Sequence, residues 1–138
     1  MAAVRILTWI ARIAGLGALL LGLTVWITGI NIVAIHMLFG LTLTLSFLIV
    51  SIIMVLTGGM RVLGLAGIIY ALIVPVFGVT QDALLPGDWH WLIRVAHMLV
   101  GLGALTLIQI ISTRYQRLKH LEVSRPAAQQ AVSQPERE

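Results

Sequence analysis

Residues 32–56 read IVAIHMLFGLTLTLSFLIVSIIMVL, a run of 25 residues without Asp, Glu, Lys or Arg. A helix needs about 20 predominantly apolar residues to cross a bilayer. Three further apolar runs occupy residues 6–28, 62–79 and 91–111. The sequence therefore predicts an all-α integral membrane protein with four transmembrane helices, which contacts the lipid bilayer.

The composition of the chain favours the same class. The chain has 138 residues, of which 59% are hydrophobic and 10% charged, and its mean hydropathy is +1.03. Soluble domains carry about 25% charged residues. The absence of cysteine excludes disulfides, iron–sulfur clusters and thiolate chemistry. The net charge of +4 does not indicate nucleic-acid binding, because the basic residues cluster at the ends of the apolar runs.

The charges also predict an orientation. Arg61 lies between the second and third runs, whereas Asp82 and Asp88 lie between the third and fourth. Under the positive-inside rule both termini are cytoplasmic, and we expect the membrane to be a prokaryotic inner membrane. We expect residues 1–116 to form the transmembrane domain and residues 117–138 a polar, partly disordered cytoplasmic tail. The remaining basic residues assigned to the cytoplasmic side are Arg5, Arg12, Arg114, Arg117, Lys119 and Arg125.

The chain resembles two copies of one helical hairpin. Aligning Arg12 with Arg61 places small residues at matched positions, seven apart in each copy. Such a stripe follows one helix face and lets helices in lipid approach closely. Two tandem hairpins predict an antiparallel four-helix bundle. The two stripes are Gly15, Gly22 and Gly29, and Gly64, Ala71 and Gly78.

A repeated phrase marks the second helix of each hairpin. Residues 36–41 read HMLFGL and residues 97–102 read HMLVGL. An imidazole within hydrocarbon is costly and is a functional candidate. In an up-down bundle the second and fourth helices face each other across the core. We therefore expect His36 and His97 to lie on opposing walls, nearer the outer face than the midplane, as a metal-binding pair.

Haem suits such a pair, because its iron accepts two axial imidazoles and its apolar ring fits a bundle interior. Gly40 and Gly101 each follow a histidine by four residues and leave room for a flat macrocycle. Arg94, three residues before His97, offers a cation for a haem propionate. His90 lies at the interface, where a propionate or a quinone is within its expected reach.

These features resemble the four-helix b-type membrane cytochromes, such as the cytochrome b561-like and haem A synthase-like bundles. The resemblance covers most of the membrane region and implies one-electron transfer through haem b. Such cytochromes often carry four ligand histidines and two haems. Here His90 is interfacial and His120 lies in the tail, so the resemblance implies one haem. The electron would pass from a quinol in the lipid to an external or neighbouring acceptor such as a redox protein, and an oxidoreductase component is the enzyme class favoured.

Three other interpretations remain open. The histidines are hydrogen-bonded packing residues in one of them, and Arg94 then extends toward lipid head groups. In another, the chain is a cofactor-free accessory or assembly subunit, docked to a second copy or to a larger respiratory complex. A transporter is the third, although no Asp or Glu lies within a span. Zinc fits poorly because it usually takes four ligands, and Met37 and Met98 point away from the histidine faces.

Overall fold

The structure is a computed structural model that describes residues 2–133, apart from the side chains of residues 122, 123 and 125–133. A short 3-10 turn, Gln81–Ala83, follows the third of the helices. Each of the four helices is long and apolar enough to cross a membrane, so the four predicted apolar runs all lie in helices. Within the described residues the helices are α1 (Ala2–Thr28), α2 (Val33–Val55), α3 (Arg61–Thr80) and α4 (His90–Ser133).

Local sequence explains several features of these helices. Gly29 ends α1 with a φ of +70°, a left-handed conformation that glycine adopts without strain, and its N–H donates to the Val25 carbonyl at 3.0 Å. Pro75 lies inside α3 and has no N–H to donate to the Ala71 carbonyl one turn earlier. The two hairpin connections differ in length. The connection between α1 and α2 is short, whereas the connection between α3 and α4 includes the 3-10 turn.

The fourth helix extends well beyond its apolar run. It continues to Ser133, so the polar segment that begins at residue 117 starts as a helical extension of α4. Residues 134–138 lie outside the described residues, and the expectation of disorder in the tail stays a prediction.

The helices pack around one core with α2 and α4 on its short diagonal. α2 contacts α1 and α3 extensively, and it also contacts α4 across the core. Among the described residues α1 and α3 do not contact each other. The second and fourth helices therefore face each other, as the sequence predicts.

The tightly packed core fills only one half of the molecule. Its large, fully buried side chains include Phe47 and Met54 of α2 and Ile108 and Ile111 of α4. Two interhelical hydrogen bonds lie in or near this half: Arg12 donates to the Gln109 amide oxygen, and the Tyr70 hydroxyl donates to the Val100 carbonyl at 3.0 Å. This half therefore holds the helices together.

The other half of the molecule, which contains both histidines, is packed differently. None of the residues 19–42 and 75–103, all of which the structure describes, is buried. Protein interiors are normally packed as densely as organic crystals. The core therefore stops before it reaches His36 and His97.

The small residues of the two stripes mostly face neighbouring helices of the same chain. A Cβ built on Gly64 would lie 2.6 Å from the Val55 nitrogen and 2.8 Å from the Ser51 carbonyl oxygen, both of the α2 backbone. A Cβ on Gly15 would overlap the Leu105 side chain of α4. These glycines permit close helix–helix contact, the role predicted for the stripes.

The contacts of the two hairpins are not equivalent. The sequence alignment matches Gly22 with Ala71 and Gly29 with Gly78, yet His36 packs on Gly22 and His97 packs on Gly78. The α3–α4 contact is therefore shifted by seven residues, two helical turns, relative to the α1–α2 contact. The longer second connection accommodates this shift. The duplication itself stays a prediction.

We predict that Gly64→Ala destabilises the fold. The added methyl group meets the α2 backbone, which cannot move aside as a flexible side chain can, so α2 and α3 must separate. Overpacking of this kind costs about 1–3 kcal/mol. Thermal loss of helical circular dichroism in detergent measures the effect. Gly58→Ala is the matched control, because a Cβ there meets nothing within 4 Å, and equal melting temperatures for the two variants would contradict the prediction.

Candidate functional site

The structure brings together the two histidines that the sequence pairs. His36 lies in the first turn of α2 and His97 in the second turn of α4. Their ring centroids are 6.0 Å apart and their planes are inclined by 58°. Both side chains are half-buried. The two copies of the repeated sequence phrase therefore bring their histidines close together between α2 and α4.

This separation is compatible with one metal atom between the rings. A metal lies about 2 Å from a coordinating imidazole nitrogen, so two rings that share it have centroids about 6 Å apart. Among the described residues no group of three or more His, Asp or Glu side chains comes together to hold a metal. Any metal held by His36 and His97 must therefore obtain its other ligands elsewhere, as haem iron does from its own macrocycle.

His36 is held by a backbone carbonyl of the neighbouring helix. Its Nδ1 lies 2.9 Å from the Ala18 carbonyl oxygen on α1. A carbonyl only accepts hydrogen bonds, so Nδ1 carries the proton and, in the neutral ring, Nε2 keeps its lone pair. This tautomer is the one that presents Nε2 to a metal while Nδ1–H is fixed by an outer partner.

His97 has no corresponding partner. Its Nδ1 atom is buried and makes no hydrogen bond with any described residue. The ring packs beside Phe77 of α3, with centroids 5.9 Å apart and planes inclined by 33°. A Cβ built on Gly78 would lie 3.3 Å from the His97 Cε1 atom. Packing alone therefore positions this ring.

Open space adjoins the histidine pair. Gly40 and Gly101, one turn after the histidines on α2 and α4, are half-buried, and a Cβ at either position would meet nothing within 4 Å. Two imidazoles beside two uncrowded glycines are compatible with a metal that brings its other ligands with it.

The remaining predicted site residues lie farther out. Arg94 is exposed, one turn before His97 on α4. His90 is occupied by the outer connection: its Nε2 lies 3.7 Å from an Asp82 carboxylate oxygen, and its Nδ1 lies 3.3 Å from the Leu84 carbonyl oxygen. The structure therefore does not bring His90 into the histidine pair.

The two methionines that follow the histidines in sequence differ in exposure. Met37 is 53% exposed and points away from the histidine face of α2. Met98 is half-buried beside His97 in sequence. The structure thus leaves the two imidazoles as the metal-binding candidates of this region.

Sequence reasoning did not identify four contributors to the site. They are the Ala18 carbonyl, the Phe77 ring, and the two glycines against which the histidine rings pack, Gly22 and Gly78. Both glycines belong to the small-residue stripes, which the sequence does reveal. The spacing of the stripes alone does not predict which stripe position each histidine ring contacts. The Ala18 carbonyl contact could not be predicted from the sequence, because every residue has a backbone carbonyl.

Comparisons with protein-family models, curated proteins and solved structures find no significant match for this chain. The chain is therefore described by its architecture, an all-helical protein with four potential membrane spans and a histidine pair between α2 and α4.

We predict that Gly22→Ala disturbs His36 specifically. The added Cβ would lie 3.0 Å from Cε1 and 3.2 Å from Nδ1 of the ring, which forces the ring away from the Ala18 carbonyl. Nitrogen-15 NMR of the ring should show a smaller fraction of the Nδ1-protonated tautomer. Gly40→Ala is the control, because its Cβ has open space. Unchanged ring shifts in the Gly22 variant would contradict the described contact.

Proposed function

We propose that the protein is a small membrane cytochrome that binds one haem b between α2 and α4 and transfers single electrons. His36 and His97 are the two axial ligands in this proposal. The observation that carries it is the 6.0 Å separation of their ring centroids, which matches two imidazoles on one iron. Haem b supplies a reversible one-electron couple when bound.

The surroundings of the pair support haem over an isolated metal ion. The open space beside Gly40 and Gly101 suits a macrocycle, and two imidazoles suffice only for a metal that arrives with other ligands. Within the described residues no third His, Asp or Glu joins the pair. The two glycines provide the clearance in which the ring lies.

Arg94 is the proposed partner of a haem propionate. It lies one turn nearer the connection to α3 than His97, and its exposed side chain makes no salt bridge within the described residues. An arginine binds a carboxylate with two parallel hydrogen bonds. His90 is a weaker candidate for a propionate or a quinone, because it is already engaged by Asp82 and Leu84.

The membrane placement follows from the four apolar helices and the charges at their ends. We propose that all four helices cross a prokaryotic inner membrane in alternating directions, with both termini in the cytoplasm. The histidine pair then lies near the outer face. A quinol in the lipid or an external redox protein would donate or accept the electron, and a second copy or a larger respiratory complex is a further proposed partner.

The competing function, a cofactor-free accessory or assembly subunit, has less support. It requires helix surfaces that dock onto a partner, and the small-residue stripes were the candidates. Gly15, Gly64 and Gly78 instead face helices of the same chain. The stripes are therefore occupied within the protein.

We predict that the purified, dithionite-reduced protein shows the visible absorption bands of a six-coordinate haem b. His36→Ala and His97→Ala should each abolish the six-coordinate spectrum, because each removes one axial ligand. Pyridine haemochrome analysis should give one haem per chain. His120→Ala, which changes a histidine outside the site, is the control. If protein expressed with ample haem were purified without these absorption bands, the proposal would be contradicted.

We also predict that Gly40→Leu and Gly101→Leu reduce haem binding without unfolding the chain. A side chain in the open space overlaps the macrocycle, and an overlap of about 1–3 kcal/mol lowers the affinity about 5- to 150-fold. Haem titration of the haem-free protein measures this loss, and circular dichroism checks the fold. Ala34→Leu, on the exposed side of α2, is the size-matched control. Wild-type haem affinity in both glycine variants would argue against the assigned space.

A further inference from the structure

We infer that the two axial histidines are unequal: His36 is the anchored ligand, and His97 is displaced by a small neutral ligand such as carbon monoxide. This inference rests on the proposed haem site. It adds a second property to that site, the capacity to bind a small molecule at the iron on the α4 side.

The first observation is the tether on His36. Its Nδ1–H donates to the Ala18 carbonyl oxygen at 2.9 Å, which restrains the ring orientation and leaves the Nε2 lone pair available for a metal. Such an outer hydrogen bond also makes the coordinating nitrogen more basic. Loss of an outer partner typically lowers metal affinity about 10- to 100-fold.

The second observation is the lack of such a tether on His97. Its buried Nδ1 has no hydrogen-bond partner among the described residues. The ring contacts Phe77 and Gly78 by packing only, so its orientation and its tautomer are not set by a polar contact. His97 therefore lacks the stabilisation that His36 has as a ligand.

The third observation concerns the helices that carry the two rings. α1 packs extensively on α2, whereas the contact between α3 and α4 is much smaller. α2 also follows α1 after a short connection, and α4 follows α3 after a longer one. Tight packing restrains His36 together with its helix, and the looser α3–α4 contact lets His97 withdraw without unfolding the core.

These differences determine which bond breaks when an external ligand arrives. With haem bound, His97 would be the ligand that leaves the iron when the carbon of carbon monoxide binds there. The iron stays ferrous and no electron is transferred. His36 would remain bound on the α2 side.

The experiment uses the reduced, haem-loaded wild-type protein with and without carbon monoxide. Diethyl pyrocarbonate modifies imidazoles that are free of metal, and peptide mass spectrometry locates the modified residues. We expect carbon monoxide to increase modification of His97 and to leave His36 unmodified. His90 and His120 lie outside the pair and serve as internal references, which should react equally in both states.

Haem affinity of the two single variants provides the second measurement. His36→Ala should lower the affinity about 10- to 100-fold more than His97→Ala, because it removes the hydrogen-bonded ligand. His97→Ala should retain a five-coordinate haem that binds carbon monoxide. Circular dichroism checks that both variants fold, and the wild-type modification experiment does not depend on them.

The outcomes separate this inference from the proposed function. Wild-type protein that binds haem, but in which carbon monoxide exposes His36 or fails to displace either histidine, overturns the inequality and leaves the cytochrome proposal standing. Equal haem affinities for two folded variants do the same. Wild-type protein that binds no haem overturns both.

Discussion

An imidazole inside an apolar helix must find partners for its polar nitrogen atoms, because surrounding hydrocarbon offers none. The contacts of His36 and His97 meet this requirement only in part. His36 satisfies one nitrogen with the Ala18 carbonyl at 2.9 Å, and its ring centroid lies 6.0 Å from that of His97. His97 keeps a buried Nδ1 without a partner. In the proposed function, one metal atom between the rings would bind one nitrogen of each histidine.

The two halves of the bundle differ in how tightly they are packed. Phe47, Ile108 and Ile111 fill the interior of one half, and close glycine contacts such as that of Gly64 hold α2 against α3. The other half has no buried residue across residues 19–42 and 75–103. A bundle stabilised at one end can leave the other end open for a large apolar cofactor, because the helices do not need that region for their association.

Much of this arrangement can be predicted from the sequence. The apolar runs gave four helices near their observed positions, and the repeated phrase identified His36 and His97 as a pair. The contacts around the rings could not be predicted. The Ala18 carbonyl belongs to the backbone, and the stripe position that packs on each ring depends on a shift of seven residues between the hairpins. His90 looked available from its position, but Asp82 and Leu84 of the outer connection engage it.

The central claim, two imidazoles on one iron, is tested most directly by the electron paramagnetic resonance spectrum of the oxidised, haem-loaded protein at low temperature. Two axial nitrogen ligands impose a strong field, so we predict a low-spin ferric signal that accounts for all of the bound haem. A high-spin ferric signal in the folded wild-type protein would show that His36 and His97 do not both coordinate the iron, and would contradict the account.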